Sequence, residues 1–474
     1  MTERNRKAAI GFIFITVLLD VLSFGVIIPI LPKLIKEFAG EELRQVESQN
    51  AQGVDATNIR QNKFADDSSG SSADTAASSG EPGNKSLTQE TERTETSMAA
   101  IYYGTFGFVF ALMHFIFAPI LGALSDRFGR RPILLLSCFG LGIDYIIMAL
   151  APSLGWLFVG RVLSGITSAS FATAIAYIAD ITPPEHRAAR FGVIGAAFGL
   201  GFVIGPAVGG ALGAFGLRIP FWLAAALALT NWFYGLFVLP ESLSLENRKQ
   251  FSWARANPIG SLKLLRSHPE LFGLAAIQFF YFLAHVVLPS TFVLYTSYRY
   301  GWSELMTGSS LAAVGIFNIV VQGFLVRKAV KRFGERACLI LALVTGIIGL
   351  TAFGLASYPI ILWLALPVFA FIGFFQPSVQ GLMTRLVKSD EQGQLQGASG
   401  SIQGIAGMIG PILFSGTFSF AISKTTVKFE VPGAPFFVAA LLLFSALIIV
   451  LFNVKTSSTR DSRVDSAAPT TTAQ

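Results

Sequence analysis

Gly122 to Pro132, GALSDRFGRRP, is a short basic turn between two long apolar runs, and its reading decides the fold. Almost no charge lies on either side of it, so the chain must leave and re-enter a bilayer here. Arg127, Arg130 and Arg131 crowd the ends of those runs, and an excess of Lys and Arg beside a span marks the cytoplasmic side. Asp126 is not needed for such an anchor. Small residues flanking an Asp-Arg pair also let helix ends approach closely while the charges find partners across the interface, as a gate requires. Anchor and gate are both compatible with the residues. As a gate, the set is Gly122, Asp126, Arg127, Gly129 and Arg131, with Asp180 at the inner end of the fourth apolar run able to pair with Arg127 or Arg131.

Composition agrees. The chain is 53% hydrophobic and 13% charged, where a soluble domain has about 25% charged residues. A polytopic all-α membrane protein follows, with the lipid bilayer as its surroundings. The net charge of +7 does not imply nucleic acid, because the positive residues fall in short loops between apolar runs. Cys138 and Cys338 each sit just inside an apolar run, which implies neither a disulfide framework nor a thiolate metal site. No metal or other cofactor is expected. The first apolar run, Ala9 to Leu31, is long enough to span and lacks a small-residue cleavage site, so no cleavable signal peptide is expected.

Arg4, Arg6 and Lys7 keep the N-terminus inside and send the first helix outward. Residues 40–98 then change character: acidic residues outnumber basic ones eleven to five, and runs such as DDSSGSSADTAASSGEPG cannot bury enough apolar surface to fold alone. This reads as a disordered external loop between helices 1 and 2, either a tolerated insertion or a binding element. Five more spans follow, at about 99–121, 133–151, 156–180, 190–214 and 219–240. Residues 1–240 thus form an N-terminal six-helix bundle, and 241–270, with five basic residues from Arg248 to Arg266, a cytoplasmic linker. Six further spans at about 271–297, 306–326, 337–356, 360–385, 396–420 and 435–454 make a C-terminal bundle over 271–455. Residues 456–474 read as a disordered cytoplasmic tail.

The halves echo each other. Phe128-Gly129 and Phe333-Gly334 lie 205 positions apart, and so do Gly205-Pro206 and Gly410-Pro411. One offset fitting two unrelated motifs argues for a duplicated six-span unit, the plan of secondary transporters whose substrate sits between the halves near the midplane. The second basic turn is degenerate, with Lys331 in place of the aspartate, so the gating charges should be asymmetric.

Three charges lie within the spans: Asp20 on helix one, Asp144 on helix three and Arg161 on helix four. Each aspartate is about eleven residues from its cytoplasmic entry, about 16 Å at the helical rise and close to mid-membrane. Such a carboxylate is either a permanently satisfied salt bridge or a group whose proton exchanges as cavity and partner change. On helix five, Gly201, Gly205, Gly209 and Gly210 offer small faces and Pro206 removes a ladder bond, for close packing or a bend. His114, Gln278, Asn318, Gln376 and Gln403 are polar residues within spans, as ligand contacts or interhelical hydrogen bonds. Tyr281 and its neighbours Phe279 and Phe280 are candidates for an apolar cavity wall.

GALSDRFGRRP resembles the signature between helices two and three of the major facilitator superfamily, and GFVIGPAVGG resembles its antiporter signature on helix five. LLDVLSFGVIIPILP, DYIIMALAP, GRVLSGITSASFATAIAYIADIT and EQGQLQGASGS are similar to the twelve-span drug:proton antiporters of the tetracycline-exporter type. The resemblance implies two pseudo-symmetric six-helix bundles in the bacterial inner membrane, both termini cytoplasmic, working as a monomer driven by the proton gradient. It implies transport roles for Asp20 and Asp144, coupling for Arg161 and a gate role for Asp126. Those exporters place a histidine on helix eight and an acid on helix nine, where this chain has Asn318 and Thr345, and His114 stands where they commonly carry glutamine. A metal-chelated tetracycline is therefore in doubt as cargo.

The expectation is proton-coupled efflux of a small amphipathic organic compound. Proton-coupled uptake of a metabolite, or a non-transporting receptor using the acidic loop, are the alternatives. No enzyme is expected, since no nucleophile–base, metal-ligand or phosphate-loop arrangement is present at usable spacing.

Overall fold

A computed structural model of the chain describes residues 3–62, 82–253, 256–388, 391–423 and 430–453, and these residues contain no strand. Eleven helices in it are long and apolar enough to cross a membrane. The longest, Glu304–Leu355, is bent at Gly334, whose φ of 78° and ψ of 165° are not helical. It is therefore two spans, and the crossing segments number twelve. We label them α1 (Gly11–Val46), α2 (Gln89–Phe128), α3 (Arg130–Leu150), α4 (Leu154–Ile181), α5 (Arg190–Gly213), α6 (Ile219–Val238), α7 (Glu270–Tyr300), α8 (304–333), α9 (335–355), α10 (Pro359–Thr384), α11 (Gln392–Ile422) and α12 (Ala434–Phe452).

The external loop expected over 40–98 is corrected over most of its length. Helix continues from Leu31 to Asn62 and resumes from Pro82 into α2. Extending a helix already nucleated in the membrane needs no new nucleus, and Glu, Gln, Arg and Ala, frequent here, are good helix formers. Residues 63–81 and the tail 456–474 lie outside the described residues.

Helix pairing repeats with the duplication. In the first half α1 packs on α5 and α6, and α3 on α4 and α6; in the second, α7 packs on α11 and α12, and α9 on α10 and α12. The halves meet through α2 with α11 and α5 with α8. Lipid tails are as apolar as leucine, so these interfaces depend on close approach through small residues. A Cβ added at Gly205 would lie 2.7 Å from the Gly25 Cα, and one at Gly201 2.9 Å from the Val21 Cβ. Gly209 faces the Val26 carbonyl at closer range still, which locks α5 onto α1. Gly210 instead meets Glu304 and Gly308 of α8, so the same glycine run serves both the first bundle and the seam. The helix passes through Pro206 unbroken.

The first helix of every three is interrupted. α1 breaks at the turn 28–30, α4 between Thr167 and Ser170, α7 at Val286, and α10 at the 3-10 turn Phe371–Phe374. Three of the breaks have a proline nearby: Pro29, Pro289 and Pro377 each lack the N–H that would bond the carbonyl four residues back. Freed backbone of this kind is tolerated at membrane depth where it is buried or lines an aqueous cavity.

The seam is shut on the side away from the basic turns. There Lys33 bonds Glu304 at 2.8 Å and the Trp302 carbonyl at 3.0 Å, Arg93 pairs with Glu430, and Ser97 meets Ser419 at 2.6 Å. Deeper, the Tyr103 hydroxyl donates to the Pro289 carbonyl at 2.7 Å. Towards the basic turns, Gly122, Gly192, Gly195, Gly323, Gly393 and Gly400 face open space.

Candidate functional site

Asp20 and Asp144 occupy different surroundings. Asp144 is fully buried, and its carboxylate accepts a 2.8 Å bond from Arg161, itself 7% exposed. Arg161 also bonds the Met148 sulfur at 3.1 Å and lies 5.9 Å from the centre of the Phe110 ring. Phe110 stacks parallel to His114, whose Nδ1 has no hydrogen-bond partner. Arginine, aspartate, phenylalanine and histidine thus make one continuous cluster from α2 to α4. A pair this well sealed is costly to break, because removing one partner strands a buried charge.

Asp20 is half-buried and has no cation. Asn231 of α6 donates to it at 3.0 Å while also bonding the Thr16 carbonyl at 3.2 Å, and the Cys138 sulfur lies 3.9 Å away. Neutral donors hold this carboxylate in place without neutralising it. Asp20 and Asp144 thus differ in their partners, neutral donors for the first and a guanidinium for the second. Asn231 was not singled out from sequence, and only its depth within an apolar span marks it.

At the basic turn, the candidate gate, Asp180 pairs with Arg130 at 3.0 Å, not with Arg127 or Arg131, which corrects the partners expected above. Arg130 also holds Asp126 at 2.6 Å and the Ser125 hydroxyl at 3.2 Å. Arg131 turns the other way and bonds the Leu236 carbonyl at 2.7 Å, and Arg127 lies over the Phe128 ring. Gly129, at φ 112°, lets the chain reverse between the two helices. Glu241, just past α6, completes the turn: its carboxylate accepts from the backbone N–H groups of Arg130, at 2.8 Å, Arg131, Ser242 and Leu243. Two of these are orphan donors at the N-terminus of α3, where a negative charge is also favoured by the helix dipole. Arg130 had a signal in the sequence, four positions after Asp126. Glu241, more than a hundred positions away, had none.

The candidate cavity residues divide. Gln278 is fully buried and neither of its side-chain polar atoms has a partner. Tyr281 is also buried, stacked face to face on Phe375 of α10 at 3.6 Å. Asn318 accepts a 2.8 Å bond from Gln322 in the first turn of a π-helical stretch, Val321–Leu325, a distortion frequent at functional sites. Gln376 and Gln403 are exposed. Gln278 and Tyr281 therefore lie in the wall rather than on its surface.

Residues 13–411 and 330–472 match the family model described as Major Facilitator Superfamily. The tetracycline resistance protein, class C, of Escherichia coli is 38% identical over 345 residues, covering 72% of this chain and 86% of that protein. The class E protein of Escherichia coli is 29% identical over 442 residues, covering 93% and 94%. Among solved structures, the human organic anion transporter MFSD10 (TETRAN) superposes with a TM-score of 0.65 at 22% identity, covering 95% of this chain and all of that one. With twelve spans in two repeated sets and this likeness along most of its length, the chain belongs to the Major Facilitator Superfamily.

Proposed function

We propose that the chain is a proton-coupled exporter that exchanges external protons for a small amphipathic organic compound, with no cofactor beyond the proton gradient. The observation that carries this is the inequality of the two acids: Asp20 is half-buried and bonded by neutral donors, while Asp144 is fully buried and locked to Arg161. An accessible, uncompensated carboxylate at membrane depth can take up a proton or a cationic group and release it when the cleft changes face. The sealed pair holds α3 against α4 through that change. Likeness to the tetracycline resistance proteins supports efflux of a drug-like molecule. The basic turns, placed in the cytoplasm by their arginines, make this conformer inward-open, with Lys33–Glu304 and Arg93–Glu430 closing the outside. Both termini then lie inside an inner membrane, and a single chain holds the complete cleft.

Everted vesicles energised to be acid inside test the reading. A panel of amphipathic compounds, tetracyclines included, is added while lumenal pH is followed. Wild type should release protons on addition of at least one compound. Asp20→Asn should lose this release entirely, and Asp144→Asn should lose it together with thermal stability. If no compound moves protons through correctly inserted protein, the exporter reading fails.

A further inference from the structure

The second half carries one ionisable side chain, tyrosines aside, deep within its described spans. α10, α11 and α12 contain no Asp, Glu, Lys, Arg or His, and those of α8 and α9 cluster at the helix ends. The exception is His285, midway along α7. It is exposed, its ring lies against buried Tyr281, and it sits next to the break at Val286. No hydrogen bond or ion pair engages its ring. One turn before it, Tyr281 lies 5.6 Å from the imidazole and stacks on Phe375, so His285 stands on the face of α7 that looks toward α10.

The backbone there is opened as well. Pro289 has no N–H to give the His285 carbonyl, and the helix breaks at Val286. Tyr103 of α2 bonds the Pro289 carbonyl, which brings the first half to the edge of the same break. An uncompensated ionisable group at membrane depth is costly, and such groups mark substrate or ion pathways. The titratable groups near it are Tyr281 on its own helix and Tyr103 on α2; α10, α11 and α12 bring no charge.

We infer that His285 is the cargo anchor of the second half, its ring N–H donating to an acidic group of the cargo, a carboxylate, enolate or phenolate, while Asp20 faces the cationic end. The cleft then selects zwitterionic amphipaths, bound with the negative end toward α7 and the positive end toward α1. The inference rests on the transport reading above and adds the charge type and orientation of its cargo.

Equilibrium dialysis of the purified full chain in lipid nanodiscs tests it with three aromatic probes: zwitterionic tetracycline, cationic ethidium and anionic fluorescein. His285→Leu should weaken tetracycline and fluorescein at least tenfold and leave ethidium within twofold. His285→Gln, which keeps an N–H donor, should restore most of the loss, and Asp20→Asn should weaken ethidium and tetracycline but not fluorescein. A uniform loss for all three probes in both His285 variants would make the histidine structural and overturn the inference, as would no loss at all. If wild type binds none of the three, the anchor falls, and the transport reading is decided separately by the vesicle assay above.

Discussion

The two basic turns occupy equivalent places in the repeat and are built differently. Gly129 and Gly334 share the same extended, positive-φ geometry, with φ 112° and ψ 162° in the first and φ 78° and ψ 165° in the second. Around Gly129 lie Asp126, Arg130, Asp180 and the Glu241 clamp. Around Gly334 there is open space, and the pair equivalent to Arg130–Asp180 is Glu335–Arg385, at 2.8 Å with its charges exchanged. Backbone shape has therefore outlasted side-chain chemistry. The first turn is a buttressed cluster, and the second is a bend that carries the Glu335–Arg385 ion pair with its guanidinium mostly exposed.

The largest test of that contrast is alanine at each glycine. A Cβ at Gly129 would run into the Glu241 carboxylate as well as forcing an unfavourable φ, whereas at Gly334 only the φ is penalised. A side chain in this extended, positive-φ region costs about 1–3 kcal/mol, so Gly334→Ala should lower the melting temperature modestly. Gly129→Ala adds the collision and loss of the clamp, about 3 kcal/mol or more in all, and should abolish most transport. Equal effects in thermal denaturation and uptake assays would mean the clamp is idle.

Charge exchange comes next. Glu335→Arg with Arg385→Glu should leave activity within about twofold, because Arg385 is 63% exposed and such pairs contribute about 0–1 kcal/mol. Arg130→Asp with Asp180→Arg should fail to recover, because Asp126 would then face a new carboxylate. Recovery of the first-half swap to wild-type rates would reduce the three-residue cluster to a simple pair.

Smallest is Glu241→Gln, which keeps an acceptor oxygen but removes the charge at the start of α3. Its cost should be about 0.5–1 kcal/mol, read as a lower melting temperature with transport retained.

Much of the architecture was legible because it is written in spacing. The 205-residue offset, the apolar runs and the flanking arginines led to twelve spans in two sets, and the glycines at 201, 205 and 209 pack as their positions suggested. The partner of Asp180 was misread because three arginines sit within five residues and only the reversal at Gly129 decides which one points back. The helical stretches flanking residues 63–81 were misread because polar composition was taken to outweigh continuation from a neighbouring membrane helix. The breaks in α7 and α10 were foreshadowed by Pro289 and Pro377, but the break in α4 has no proline and no comparable signal. His285 was visible as a histidine in an apolar run, yet its exposure depends on which side of α7 faces the cleft.

The Glu241 clamp also bears on the order in which the molecule can be made. Its acceptors reach back to amides laid down 110 and 111 positions earlier. As the chain emerges from the ribosome, the first turn must remain provisional through the insertion of α3, α4, α5 and α6, with the start of α3 left to water or lipid head groups. Only when α6 has crossed and residue 241 has returned to the same surface can the turn take its final shape. The carboxylate can thus close the first bundle without any residue of the second, since all its partners lie between residues 130 and 243.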